Sequence, residues 1–147
     1  MLKSGSKSSQ ALNKDKTIIS GRFERVTEDL KSKVIEALKT VEDPELGIDV
    51  WNLGLIYDVS VSEGGDVSIK MTFTAPGCPA STYILFDIYK KLSVIEGIGD
   101  VRVDVVLDPR WTPLKMTQEG RKKFELKYGY DIVEKYLDLV KSGKIRG

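Results

Sequence analysis

The sequence contains no histidine and only one cysteine, and these two scarcities bound its chemistry more tightly than anything it has in abundance. Without histidine the chain lacks the commonest general base and the commonest nitrogen ligand for metals. With Cys78 alone it can form no internal disulfide and no CxxC pair. One chain therefore cannot supply the four thiolates of an ordinary iron–sulfur site. Any cluster or soft metal held here needs a second chain, a partner protein or a small thiol.

Long apolar runs are also missing, and none approaches the roughly 20 residues of a membrane span. Met1 to Gln10 is rich in Lys and Ser with no apolar stretch behind it. It does not read as a secretory signal, so the expected compartment is the cytoplasm. No glycine-rich phosphate loop is present, and Gly64-Gly65 reads as a turn.

What is present is the composition of one soluble globular domain with a tail: 147 residues, 41% hydrophobic and 31% charged. The net charge of +1 is unevenly placed, because Lys3, Lys7, Lys14, Lys16 and Arg22 stand against Asp15 alone. Residues 1–22 thus carry a local +4. Without periodicity, residues 1–25 read as a flexible, solubilising tail. A nucleic-acid arm is the weaker reading, since the charge is small and no aromatics are interleaved.

From Thr27 the pattern changes. Leu30, Val34, Ile35, Leu38 and Val41 recur at helical spacing, with Glu28 and Asp29 in the first turn, which predicts a helix over 27–40. Pro44 disfavours helical geometry at Asp43 and stops it. Leu55 to Ser62 and Val67 to Thr74 each alternate apolar with polar around Glu63-Gly64-Gly65-Asp66, the pattern of a β-hairpin with one buried face. Ala75-Pro76-Gly77-Cys78-Pro79 breaks the second strand. Ile84, Leu85, Ile88, Leu92 and Ile95 then predict a helix over 79–93, and Val101, Val103, Val105 and Leu107 a third strand. A strand–helix–strand step implies a right-handed crossover. A helix is expected after Thr117 and a last one over 131–142. The expected fold is a two-layer α+β sandwich of order α-β-β-α-β-α-α, a three-stranded mixed sheet with helices on one face.

Four sets of residues could carry chemistry. Cys78 falls between a strand end and a helix start, with Pro79 suited to the first helical position. Unpaired N–H groups and the helix dipole there favour a thiolate. The alternative is a small buried residue filling a turn. Gly77 and Pro79 make a special backbone site and favour the reactive thiol. Asp43 and Glu45 flank a proline and could bind a hard metal or a partner lysine; taken alone, they read more simply as solvated acids at a helix stop. Thr72 and Thr74 are expected on the polar face of the second strand, where a hydroxyl could hydrogen-bond a thiolate, or serve only as a good strand former. Trp111, in the stiff loop between Pro109 and Pro113, could cover the Cys78 region or pack at the edge of the core, and Trp51 is similarly placed between roles.

Read in order, Asp43-Pro44-Glu45, Asn52-Leu53-Gly54-Leu55-Ile56-Tyr57, Thr74-Ala75-Pro76-Gly77-Cys78-Pro79 and Trp111-Thr112-Pro113 resemble the metal–sulfur cluster assembly factor family, which includes SufT and the PaaD-like proteins. The resemblance covers about residues 28–123. It implies an iron–sulfur cluster assembly-type domain over 26–123, between the 1–25 tail and a helical extension over 124–147. It also implies a non-enzymatic adapter or transient carrier of an iron–sulfur cluster or iron. The family's functional positions map onto Cys78, Asp43 and Glu45, with Thr74 as a lesser member. The implied partners are iron–sulfur scaffold, carrier or client proteins, and a cluster held at Cys78 would bridge two subunits of a homodimer. PaaD-like relatives serve a ring-hydroxylating oxygenase system and carry extra cysteines near the C-terminus; this chain has none there, which counts against that branch. A cysteine-dependent thiol enzyme is a further alternative, but its base would have to be a carboxylate or lysine.

The thiol reading predicts that Cys78 in the native protein reacts with iodoacetamide faster than a free thiol at neutral pH, as followed by mass spectrometry. A thiol inert until the protein is denatured would contradict it.

Overall fold

The structure is a computed structural model describing residues 26–75, 77 and 79–145. The expected tail over 1–25 and Cys78 itself lie outside the described residues. Helix α1 runs over 26–38. It is followed by β1 (Ile56–Val61), β2 (Val67–Met71), α2 (Pro79–Ser93), β3 (Val101–Val105), a 3-10 turn (Pro113–Lys115), α3 (Gln118–Tyr128) and α4 (Ile132–Lys141). The strands lie in the order β1-β2-β3. The β1–β2 pair is antiparallel, and β2–β3 is parallel, as the α2 crossover requires. Helix, strand and layer order follow the two-layer α+β expectation.

Alternation decides which face of the sheet is buried. Val67, Ile69 and Met71 of β2 point into the core and Ser68 and Lys70 point out. The inward residues meet Ile84, Ile88 and Leu92 of α2 and Val34 and Leu38 of α1, all essentially without solvent contact. The opposite face, with Asp58, Ser60, Ser68, Lys70, Arg102 and Asp104, is polar and open. One helical layer on one sheet face therefore satisfies both sides of the alternation.

Expectations for two elements shift in detail. The first helix is already formed at Val26, so Thr27 lies inside it rather than at its start, and it ends at 38 rather than 40. The second strand ends at Met71, and Thr72 is buried rather than on the polar face. The pairing itself runs one step further than the strand: next to the Ile56–Met71 pair, the Thr72 N–H donates to the Leu55 carbonyl at 2.9 Å. In β1 the register slips between Ile56 and Asp58, a bulge that leaves Tyr57 without an opposite residue.

The C-terminal helices belong to the same packed body. Phe124 of α3 joins the main core, and its ring meets Tyr128 and Tyr130 at 4.5 and 5.4 Å. Thr117 caps α3 by accepting from the Gly120 N–H, and Asp131 caps α4 by accepting from the Val133 N–H. Arg121 reaches Asp131 at 2.7 Å and ties the two helices. That hydrogen bond holds the Asp131 carboxyl below its usual range.

Gly120 marks how closely α3 approaches the sheet-end loops. A Cβ at this position would stand 2.2 Å from the Asn52 carbonyl oxygen, a backbone atom. In a free helix, glycine to alanine stabilises by about 1 kcal/mol. Here Gly120→Ala is expected to destabilise by about 2 kcal/mol or more, because α3 must move off its seat. Urea denaturation followed by circular dichroism reads the sign directly.

Candidate functional site

Strand directions bring three connections to one end of the sheet. The chain enters antiparallel β1 there through residues 39–55, leaves β2 there through 72–78, and leaves parallel β3 there through 106–117. The acid loop, the cysteine connection and the tryptophan loop are thus neighbours by topology. Backbone hydrogen bonds stitch the first two: Val50 N–H donates to Val41, Leu55 N–H to Val50, and Thr72 N–H to Leu55.

Within the first loop the two acids have different work. Asp43 is 2% exposed. Its Oδ1 accepts from the backbone N–H of Glu45 at 2.8 Å and of Leu46 at 3.3 Å. Its own N–H donates to Ile48, and its carbonyl accepts from Gly47 at 2.7 Å. This is a side-chain-closed turn built around Pro44, in which Asp43 sets the loop's shape. Glu45 is exposed on that turn, and Thr74 is half-buried just past the end of β2. In the second connection Gly77 adopts φ 80°, a left-handed geometry suited to glycine, and Pro79 opens α2. Cys78, the thiol expected between them, lies outside the described residues.

A polar cluster that the sequence did not single out locks the first loop to the third. Asp49 is 2% exposed, and both its oxygens are engaged by Asn52: the backbone N–H reaches Oδ2 at 2.9 Å and the amide reaches Oδ1 at 2.9 Å. Asn52 Oδ1 accepts from the Thr117 hydroxyl at 2.6 Å, and its carbonyl accepts from the Thr117 N–H at 3.0 Å. Lys123 lies 3.5 Å from Asp49 and 3.2 Å from Glu119. The hydrogen bond to Glu119 is the main cause of a raised lysine pKa. The only local signal was the Asp49-x-x-Asn52 spacing, which suits a turn closed by its own side chains.

The aromatic residues are clamps as well. Trp111 Nε1–H donates to the Leu53 carbonyl at 2.6 Å, so the tryptophan pins the third loop to the first at the edge of the core. The bulged Tyr57 donates its hydroxyl to the Pro109 carbonyl at 2.6 Å, and Lys115 sits 4.9 Å over its ring. Burial, and then the Asp108 carboxylate, raise the Tyr57 pKa. Gly54 completes this contact: with φ 78°, its missing Cβ leaves room for the Lys115 carbonyl, which would lie 2.0 Å away.

Among the described residues no group of three or more acids, histidines or cysteines is placed to hold a metal ion. Nor is any described helix long and apolar enough to cross a membrane. The geometry defines a small α+β domain whose chemistry-bearing loops gather at one sheet end around a turn made by a buried aspartate.

The chain belongs to the iron–sulfur cluster assembly protein family, whose pattern matches residues 31–105. It is similar to the Fe-S protein maturation auxiliary factor YitW of Bacillus subtilis, at 43% identity over 94 residues covering 64% of this chain and 92% of that protein. More distantly, an iron–sulfur cluster carrier protein of Mycobacterium leprae is 33% identical over 101 residues, 67% of this chain but 26% of that longer protein. Among solved structures, a domain of unknown function, DUF59, from Bacillus anthracis superposes with a TM-score of 0.65 at 36% identity, covering 71% of this chain and 98% of that one.

The Asn52 cluster predicts strong coupling between the two loops. Asn52→Ala is expected to cost about 2–4 kcal/mol, because it takes the side-chain amide donor from the buried Asp49 carboxylate and the acceptor from the Thr117 hydroxyl, and Thr117→Val about 1–2 kcal/mol. Combined, they should cost about 1 kcal/mol less than their sum. A double-mutant cycle from urea midpoints measures this; strict additivity would show that the contact is not a working link.

Proposed function

We propose that this chain serves the maturation of iron–sulfur proteins as a non-enzymatic adapter or transient carrier, with iron or a cluster as its cargo. The observation that carries this reading is the family match over residues 31–105, which spans both the Asp43 turn and the connection between Gly77 and Pro79. It is supported by relatives whose names describe maturation auxiliary factors and cluster carriers, not enzymes.

In this reading Cys78 is the thiol that meets the cargo. One cysteine per chain cannot complete a cluster, so a second chain, a scaffold or client protein, or a small thiol supplies the rest. The two acids divide their roles: Asp43 holds the loop in shape, and Glu45, on its exposed side, faces cargo or partner. Thr74 stands at the start of the cysteine connection. Handing cargo on favours such an incomplete ligand set, because a fully coordinated cluster has no open side for a recipient.

Anaerobic incubation with ferrous iron and sulfide tests the carrier form. The expected product has visible charge-transfer absorption and at most one cluster per two chains, and Cys78→Ser abolishes it. Undiminished binding by that variant would remove the thiol from the site. No bound iron in wild type would remove the carrier role, and the adapter role would then rest on co-purification with scaffold or client proteins.

A further inference from the structure

One edge of the sheet is guarded and the other is not. At the β1 edge the strand is bulged at Tyr57, whose hydroxyl is tied to the Pro109 loop. The β3 edge, Val101–Val105, has no partner strand among the described residues. It carries no proline or bulge, and its two charges, Arg102 and Asp104, are of opposite sign, so they do not repel a strand that presents the same pair in reverse.

The hydrogen bonding sets which groups this edge offers. Val67 N–H donates to the Asp100 carbonyl and Val106 N–H to the Met71 carbonyl, so the even-numbered residues of β3 face β2. By alternation Val101, Val103 and Val105 direct their N–H and C=O groups outward. Their side chains point to the helical layer, where Val101 and Val103 pack against the core and Val105 remains 42% exposed. Arg102 and Asp104 stand on the open polar face, 3.4 Å apart, with side chains 75% and 52% exposed.

We propose that this edge pairs with the same edge of a second copy of the chain, antiparallel and centred on Val103. This placement follows from symmetry and charge. With Val103 opposite Val103 of the second copy, Val101 falls opposite Val105, and each of these pairs can exchange two backbone hydrogen bonds. The same register puts Arg102 opposite Asp104 of the second copy, and Asp104 opposite its Arg102, in the closer, non-hydrogen-bonded pairs. The sequence Val-Arg-Val-Asp-Val is thus complementary to itself in one register. A two-fold axis perpendicular to the sheet keeps both helical layers on the same side and makes one six-stranded sheet. It sets the two site ends at opposite ends of that sheet, so a cluster shared by two chains would use a different contact.

The helical side is apolar where the second copy would lie. Phe86 is 76% exposed, and Tyr83, one turn before it on α2, is also exposed. Phe86, Tyr89, Lys90 and Ser93 line an open groove against Gly99, Asp100 and Val101, at the foot of β3. Pairing of the edges would bring the two α2 stripes toward each other across the valines and remove this apolar surface from water.

Sedimentation of the full chain over a micromolar concentration series tests the proposal through charge reversal. Arg102→Asp and Asp104→Arg each place like charges opposite one another twice, and each should weaken the dimer by about tenfold or more. Mixing the two variants opposes unlike charges at both positions and should restore wild-type association as a heterodimer, as should Arg102→Asp/Asp104→Arg in one chain. Both positions are exposed, so unchanged circular dichroism verifies the fold. A monomeric wild type, or single variants that associate as tightly as wild type, would overturn the proposal and leave the edge to another strand.

Discussion

The Asn52 side chain is the joint on which the site end depends. It binds Asp49 within its own loop and Thr117 across the molecule, so one amide fixes both the shape of the loop before β1 and its distance from the start of α3. Losing the first contact takes a donor from the buried Asp49 carboxylate, and losing the second leaves the Asn52 amide oxygen without the Thr117 hydroxyl. Trp111 and Tyr57 repeat the strategy nearby, each spending its single donor on a backbone carbonyl of another loop. The loops at this end are therefore held by directed hydrogen bonds, and the apolar core below them supplies most of the driving force for folding.

This arrangement separates shape from reactivity. Asp43 uses Oδ1 on backbone amides and is buried, whereas Glu45 two residues later is exposed. A short acidic motif thus holds one residue that builds the turn and one that faces outward. Gly77 takes a left-handed geometry and Pro79 opens α2, so conformational restriction shapes the chain at these two positions. On the proposed carrier reading, such a frame lets outward-facing groups change partners without disturbing it.

Much of the fold was legible in local pattern. The second helix begins at Pro79 and ends at Ser93, the span its apolar stripe and proline predict, and β2 alternates as written. The helix over α3 and the amphipathic α4 were also visible from Thr117 onward. What escaped is what distant chain decides. Thr72 continues the outward-facing series of Ser68 and Lys70 and is nonetheless buried, which the alternation of its own strand does not foretell. Asn52, Thr117 and Lys123 look like ordinary polar surface positions; their meeting is fixed only when α3 folds back on the loop before β1. The motif residues Asp43, Trp111 and Tyr57 drew notice in the sequence, but their roles as turn former and clamps emerge from partners whose positions no spacing encodes.

The mixed topology of the sheet also imposes an order of events during folding. The β1–β2 hairpin closes across a tight turn, but β3 reaches its place beside β2 only after the whole of α2 has been laid across the core. Local contacts form quickly, and the long loop closure of a parallel pairing is slow. A nascent chain would therefore hold the central strand open on one flank until the crossover is complete. The valine-rich third strand is the natural occupant of that flank, and a strand emerging from a neighbouring ribosome would be its nearest competitor.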